Sequence, residues 1–539
     1  MTRVTPRFRL ALLGLATLLA CRDARPCASC DQLVIAATGE PEGLLPPLVF
    51  ETVGRDISDQ IYERLADLSP GGAPIDSAAY RPRLAARWER VDSLTLRFHL
   101  RPGARWHDGE PVTAADVVFS FQAYADSVLD TQARGALAGQ ITATAEDSAT
   151  VRIGFARAYP EQLYDATWHV RVIPEHVWRW QERESWGADT AVAHVIGSGP
   201  YRLTSWARGQ SLTLSADSAR GATPTVRTLI WRFAGDPDAA LNLVLAHEAD
   251  LLEAVGSPER VERVTGDSAL RVLSYPAAAY GFLGYNLGGS AARRLGGSAL
   301  TNREVRRALN QAVDRAAIAR TIYGAGAKAP PGPMSQLLWI WDDSVTTLPY
   351  DTAAAARAFD AAGWRRGANG MRARGGAPLR FDILVPATSL GRKRLAEALQ
   401  EGWRLAGADV TVTAVDFPVF QERLGQGKFD SYIGAWLDEP SPRGLADQWT
   451  AAGIGVLNYG GYANPAFDRQ FQAALAATDV GAARRAWRAA LDTLNADAPA
   501  LFLYAPVNVA AVSRRVSGFS IDPFSWLSGV GAVTLAPRE

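Results

Sequence analysis

The chain has 539 residues, of which 48% are hydrophobic, 9% aromatic and 21% charged, a composition too apolar for disorder and too mixed for a coiled coil or collagen. At roughly 100 to 200 residues per domain, this length predicts about three or four domains or subdomains. Fifty-six basic residues cancel fifty-six acidic ones, so no whole-protein field would recruit an anionic surface, and nucleic acid is disfavoured as a partner.

Arg3, Arg7 and Arg9 precede an apolar run from Leu10 to Ala20 that stops at Cys21. A basic start followed by an apolar segment of about 7 to 15 residues is the pattern of an export signal, and this run is shorter than the roughly 20 residues that span a bilayer. Leu18, Leu19 and Ala20 ahead of Cys21 resemble a bacterial lipobox, although Leu19 is bulkier than the usual middle residue. The resemblance implies a signal peptide over 1–20, lipidation of Cys21 and a tether over 21–30, with the acyl chains held in a membrane. The alternative is an ordinary signal peptide with a cysteine there by chance. Cys27 and Cys30 form a C-x-x-C, but no strand precedes them as in a redox motif; a local disulfide or two idle thiols is expected. These three are all the cysteines, so from Asp31 onward there is no thiolate nucleophile and no cysteine-ligated metal.

Leu33 to Ala37 is a short buried-strand pattern followed by a Gly/Pro loop over 39–47. Leu94, Leu96, Phe98 and Leu100 alternate with Thr95, Arg97 and His99, which predicts a half-buried antiparallel strand. A turn-rich loop, 101–110, leads to a helix capped by Thr113, with Asp116 three residues later. Thr301 and Glu304 predict a capping box for a second helix, whose stripe is Val305, Ala308, Leu309, Ala312 and Val313. Further helices are expected from Asp314 to a left-handed terminator at Gly324, from Asp351 to Ala362 before Gly363, and from Lys393 to Ala406 before Gly407. Strand patterns at 381–385 and 410–415 flank the last of these, predicting a parallel βαβ crossover. The body is therefore mixed α/β.

Motifs for chemistry are missing. There is no phosphate loop, no H-E-x-x-H zinc helix and no G-x-S-x-G nucleophile elbow. His107, Asp108 and Glu110 sit in one turn without further ligands nearby, so no metal or other cofactor is expected. The sequence offers no nucleophile, acid/base and orienting group in a catalytic set, and no enzyme is predicted.

What the chain does carry is a series of landmarks. Residues 80–121 (YRPRLAARWERVDSLTLRFHLRPGARWHDGEPVTAADVVFSF) are followed by GSGPY at 197–201, ALNLVLAHEADL at 240–251 and Tyr285-Asn286. NREVRRALNQAVD at 302–314, a segment ending in AAGW at 364, NYGGYANPAFD at 458–468 and DAPALFLY at 497–504 complete it. The set, in this order, resembles the family 5 solute-binding proteins of bacteria, the dipeptide/oligopeptide-binding components of ABC importers. The resemblance runs from about Leu33 to Phe519. It implies a periplasmic-binding-protein-like fold: two α/β lobes around a ligand cleft, joined by hinge strands, with an additional domain. Carried over, lobe I is 31–75, 198–288 and 508–539, the additional domain is 76–197, and lobe II is 289–507. A monomer that closes on its solute and delivers it to ABC permease subunits is expected, exported and lipid-anchored at the cell envelope. A peptide is the default ligand, with nickel complexes and oligosaccharides as alternatives within the family. A signalling or structural lipoprotein keeping the fold without transport is the rival.

Cleft-lining candidates follow from position and chemistry. Glu40 and Pro41 lie in the loop after the first strand, where strand carboxyl ends face a crevice. Tyr280 and Tyr285 sit near one crossing between lobes and Tyr504 near the other; a tyrosine offers an apolar wall with a polar tip, though core packing serves these residues as well. GAWLDEP at 434–440 resembles the family segment in which a Gly-Trp pair and a following Asp bind the peptide backbone and its α-ammonium. That implies Trp436 and Asp438 as ligand residues. Ala435 replaces the Gly directly before the Trp and Asp438 comes one residue early after Trp436, so either Asp438 or Glu439 could take the charge, or both could belong to a solvated turn.

Overall fold

The structure, a computed structural model, describes residues 30–538 except 190, 221–223, 289–298 and 325. The expected signal peptide, Cys21 and Cys27 lie outside the described residues; Cys30 is disulfide-bonded. The 33–37 run forms the strand Gln32–Thr38, buried along its whole middle. It pairs in parallel with Thr228–Ala234 on one side and Leu251–Leu252 on the other. These are central in a seven-stranded mixed sheet, ordered Leu270–Pro276, Val507–Ser513, Leu251–Leu252, Gln32–Thr38, Thr228–Ala234, Ser211–Ala216, Tyr201–Ala207. Leu33 and Ile35 enter the core on one face and Val34 and Ala36 that on the other, which is why the strand is uninterruptedly apolar.

A second sheet has five strands, ordered Asp409–Val415, Arg380–Pro386, Ser431–Leu437, Ala279–Tyr285, Ala500–Tyr504. Its first two are parallel, in the predicted crossover around the helix Leu390–Ala406. That helix begins three residues before the expected Lys393, because Ser389 caps it, and ends at Gly407 in the left-handed conformation (φ 95°). Two helical layers cover the sheet. Arg303–Gln311 and Leu390–Ala406 share one core with Leu283 and Tyr285, while Pro465–Ala476 and Val480–Asp497 share the other with Tyr280 and Phe282.

The third sheet is antiparallel: Ala85–Asp92, Thr95–Leu100, Thr150–Phe155, Ile141–Ala145. Leu96, Phe98 and Leu100 face its core; Leu94 falls in the turn ahead of the strand and is 40% exposed. The helix Ala114–Ala125 forms with the predicted Thr113/Asp116 capping box. It gives Val117, Phe121 and Tyr124 to this core, and Phe119 and Ala123 to that of the seven-stranded sheet. The two sheets are therefore bound through a shared helix. Strand Ala66–Leu68 also pairs with Tyr80–Pro82, a ladder that crosses the division expected at 75/76.

Two helix ends differ from expectation. Asn302, not Thr301, caps Arg303–Gln311, its side chain accepting the Glu304 N–H at 2.9 Å; an Asn reaches the first free amides as well as a Thr does. Gly324 has φ 89° but ψ 168°, so the chain leaves the helix Arg315–Tyr323 extended rather than in a left-handed turn. Asp351 caps Thr352–Ala361 as expected, and Gly363 follows with φ 86°. No described helix is long and apolar enough to cross a membrane.

Candidate functional site

The chain passes between the first and second sheets at two adjacent places. Strand Leu270–Pro276 continues through Ala277 and Ala278 into Ala279–Tyr285, and Ala500–Tyr504 returns through Ala505 and Pro506 into Val507–Ser513. The connectors touch: Ala277 N–H donates to the Pro506 carbonyl at 3.0 Å. Ala505 and Lys328 exchange backbone bonds at 2.7 and 3.2 Å. Two short strands side by side, with small residues and one proline, form a joint that can bend by a few dihedral changes.

Asp438 sits on the second-sheet side of this joint. Its N–H donates to the Ala278 carbonyl at 2.9 Å, and its carboxylate accepts the Ser335 N–H at 2.5 Å. Burial pushes the carboxyl up to about 6, against the Ser335 bonds, which favour the charged form. No Lys, Arg or His pairs with it among the described residues. Beside it, Tyr280 is fully buried and opposite Trp436 in the ladder. Its hydroxyl is bonded to Gln448 and accepts the Trp449 indole N–H at 3.0 Å. Burial and then the Asp438 charge hold that phenol well above its usual range. Half-buried Trp436 stacks on Tyr459, centroids 6.3 Å apart.

On the first-sheet side, the Tyr275 hydroxyl donates to the Glu253 carboxylate at 3.4 Å and accepts from Asn508 Nδ2 at 3.3 Å. Glu253 is raised by burial, and Asp56 by burial and then by Glu253. Acidic groups thus stand on both sides of the joint.

The remaining sequence-derived candidates scatter. Tyr285 is fully buried and donates to Asn310 Oδ1 at 2.7 Å; five residues from Tyr280, it points to the opposite face of the sheet. Tyr504 stacks on Tyr323 at 4.1 Å and closes over Gly281, where a Cβ would meet its ring at 1.9 Å. Glu40 accepts from the Trp206 indole at 2.6 Å and from the Gly209 N–H at 2.7 Å, pinning a hairpin of the first sheet, with Pro41 buried beside it. Exposed Glu439 accepts from the Tyr164 hydroxyl at 3.5 Å. The structure thus gathers Tyr280, Trp436 and Asp438 at the joint and leaves Glu40, Pro41, Tyr285, Glu439 and Tyr504 in other settings.

Sequence reading passed over Ser335, 103 residues from Asp438, and a cluster just beyond it. Arg443 lies 2.7 Å from Glu161 and is bidentate to Asp165, and Ser441 donates to Glu161 at 2.6 Å. Burial raises Glu161. It also opposes ionisation of Asp165, but bonds from His169 and Arg443 outweigh that and hold Asp165 at about 2. No local pattern flags partners nearly 280 residues apart.

The profile of bacterial extracellular solute-binding proteins, family 5 Middle, matches residues 79–455. Protein XP55 of Streptomyces lividans is 29% identical over 478 residues, covering 88% of this chain and 83% of its own length. The dipeptide-binding protein of Escherichia coli is 24% identical over 530 residues, covering 91% and 92%. Among solved structures, the unliganded open form of the periplasmic murein tripeptide-binding protein MppA superposes with a TM-score of 0.78 at 21% identity, over 94% of this chain and 98% of that one. With the profile spanning more than half of the chain and two lobes joined by a double connector, this chain belongs to the bacterial extracellular solute-binding proteins of family 5.

Proposed function

We propose that this protein is the peptide-capturing receptor of an ABC importer. A short peptide binds between the two lobes, which close about the 277–278 and 505–506 connectors, and the closed form hands the peptide to the permease. Lobe I is built on the seven-stranded sheet, lobe II on the five-stranded sheet, and the antiparallel sheet is the additional domain; lobe II then takes the strand Ala279–Tyr285, which the sequence reading put in lobe I. The observation that carries this reading is Asp438, a half-buried carboxylate with no cationic partner among the described residues, placed at the joint. A buried carboxylate without a cation is costly to keep unless an ammonium arrives to pair with it. Trp436 beside it offers the peptide an aromatic wall. The protein carries its solute without chemical change, acts as a monomer, and is held at the cell envelope by lipid on Cys21.

Native mass spectrometry of the protein purified without denaturation tests this, and a retained peptide of two to five residues is the expected result. Turnover of a substrate by the purified protein, or the absence of binding across di- to pentapeptides by calorimetry, would overturn it.

A further inference from the structure

A cavity of about 270 Å³ lies away from the joint. It lies where the end of helix Thr52–Ile61, the Trp168 region of the additional domain and the final segment 522–532 meet, with Leu337 and Pro440 of the second lobe at its edge. None of the eight candidate ligand residues lines it.

Its charges are unevenly matched. Asp59 is taken by Arg171 and by the Ser525 hydroxyl at 3.1 Å, and Asp67 by Arg83 at 3.0 Å. Asp522 accepts the Phe524 N–H at 3.0 Å but forms no ion pair among the described residues. Arg64 bonds the Trp168 carbonyl through Nε at 3.0 Å. Its two terminal nitrogens reach Asp59 and Asp67 only at 3.9 and 3.7 Å, beyond hydrogen-bond range. One carboxylate and one guanidinium fork therefore retain capacity in the same cavity. A third polar group is idle. Tyr62 lines the cavity at 2% exposure, and its hydroxyl has no hydrogen-bond partner among the described residues, an arrangement that costs free energy unless something completes it. The Trp168 and Phe524 rings, perpendicular with centroids 5.9 Å apart, supply apolar wall.

We propose that this cavity is a second site, for a zwitterion the size of a free α-amino acid. The ligand carboxylate takes the Arg64 N–H groups, its ammonium donates to Asp522, Tyr62 completes the polar end, and an apolar side chain rests against Trp168 and Phe524. A ligand of zero net charge fits a wall with one spare charge of each sign, and a bidentate guanidinium–carboxylate contact gives it orientation. The volume is smaller than the roughly 300 Å³ at which sites for drug-sized ligands begin, which favours a single amino acid over a peptide.

The test is calorimetry of the full chain with L-phenylalanine, L-leucine and L-arginine, alongside phenethylamine and 3-phenylpropanoate, which keep one charge each. At least one amino acid should bind, and each single-charge analogue should bind at least ten-fold more weakly than L-phenylalanine if that is the ligand taken. Asp522→Asn should weaken the amino acid at least ten-fold, with an unchanged circular dichroism spectrum, while peptide binding at the joint persists. The analogues on the unaltered protein keep the test valid if the variant folds poorly. No binding by any of the three amino acids, equal binding of the analogues, or loss of binding in Asp438→Asn but not in Asp522→Asn would overturn the proposal. The peptide titrations are read separately, so failure of the receptor reading leaves this outcome distinct.

Discussion

Asp438 shows how a side chain can weaken the fold and, in the proposed receptor, serve binding. Its carboxyl titrates at about 6, raised by burial, so the folded chain holds that proton more tightly than the unfolded chain does. Stability from this group is present at low pH and is lost as the pH rises through about 6. Asp438→Asn keeps an acceptor for the Ser335 N–H and removes the buried charge. It should stabilise the ligand-free protein at pH 7.5 by about 1 kcal/mol, allowing for partial solvation, by about half of that at pH 5 and by little at pH 3.5; urea unfolding at the three values checks this. The same substitution should weaken peptide binding at least ten-fold, since the ammonium loses its charged acceptor. For the unaltered protein, affinity should be flat above about pH 6.5 and fall toward ten-fold per pH unit below about 6, as Asp438 becomes protonated. Calorimetric titrations across pH 5 to 8 would show the profile; a flat one removes the ammonium from Asp438.

The GSGP turn at 197–200 shows why a short motif can be fixed by its neighbour. Gly197 and Gly199 lie against the last residue of helix Thr52–Ile61: an added Cβ would meet the Ile61 carbonyl oxygen at 1.9 Å from Gly197 and at 2.6 Å from Gly199. The close approach lets the Gly199 N–H donate to that oxygen at 2.7 Å. The obstructing atoms are backbone and cannot turn aside, so Gly197→Ala should destabilise by about 3 kcal/mol. The Ala114–Ala125 helix start is a second such point. Asp116 accepts the Thr113 N–H at 2.8 Å and the Glu175 N–H at 2.9 Å, joining the helix to a following segment. Asp116→Ala should therefore cost about 2 to 3 kcal/mol, more than the roughly 1 kcal/mol of an ordinary cap loss such as Thr113→Ala. Chemical denaturation of the three variants gives the order.

Across the molecule, the additional domain shares a core with the first lobe but meets the second through a charged contact, Glu161 and Asp165 with Arg443 and Ser441. A shared apolar core keeps two units together, whereas an ionic contact can be exchanged for water when lobes turn. Arg443→Met leaves two buried carboxylates short of a partner and should destabilise by about 2 to 3 kcal/mol, less than for a fully buried pair because the guanidinium is partly solvated. It should also free the second lobe from the additional domain, read as a change in the ligand-free radius of gyration by small-angle scattering. An unchanged radius would show that the contact does not limit lobe position.

Local order was legible in the sequence because it has local causes. The unbroken apolar run at 33–37 announces a strand covered on both faces, the 2-period at 96–100 a half-covered one, and Thr113/Asp116 a helix start. The crossover at 380–415 follows from strand, helix and strand spacing, and the landmark order identified the family over most of the chain. Choices that depend on neighbours far along the chain were not legible. Tyr280 and Tyr285 look alike as residues near a crossing, and only the pleat of a covered strand sends one toward Asp438 and the other away. Asp438 and Glu439 are adjacent acids, and it took Ser335 and Tyr164, 103 and 275 residues away, to bury one beside the joint and leave the other exposed. Periodicity and capping act over a few residues and are written in them; burial, pairing and pKa belong to whichever distant segments the fold brings alongside.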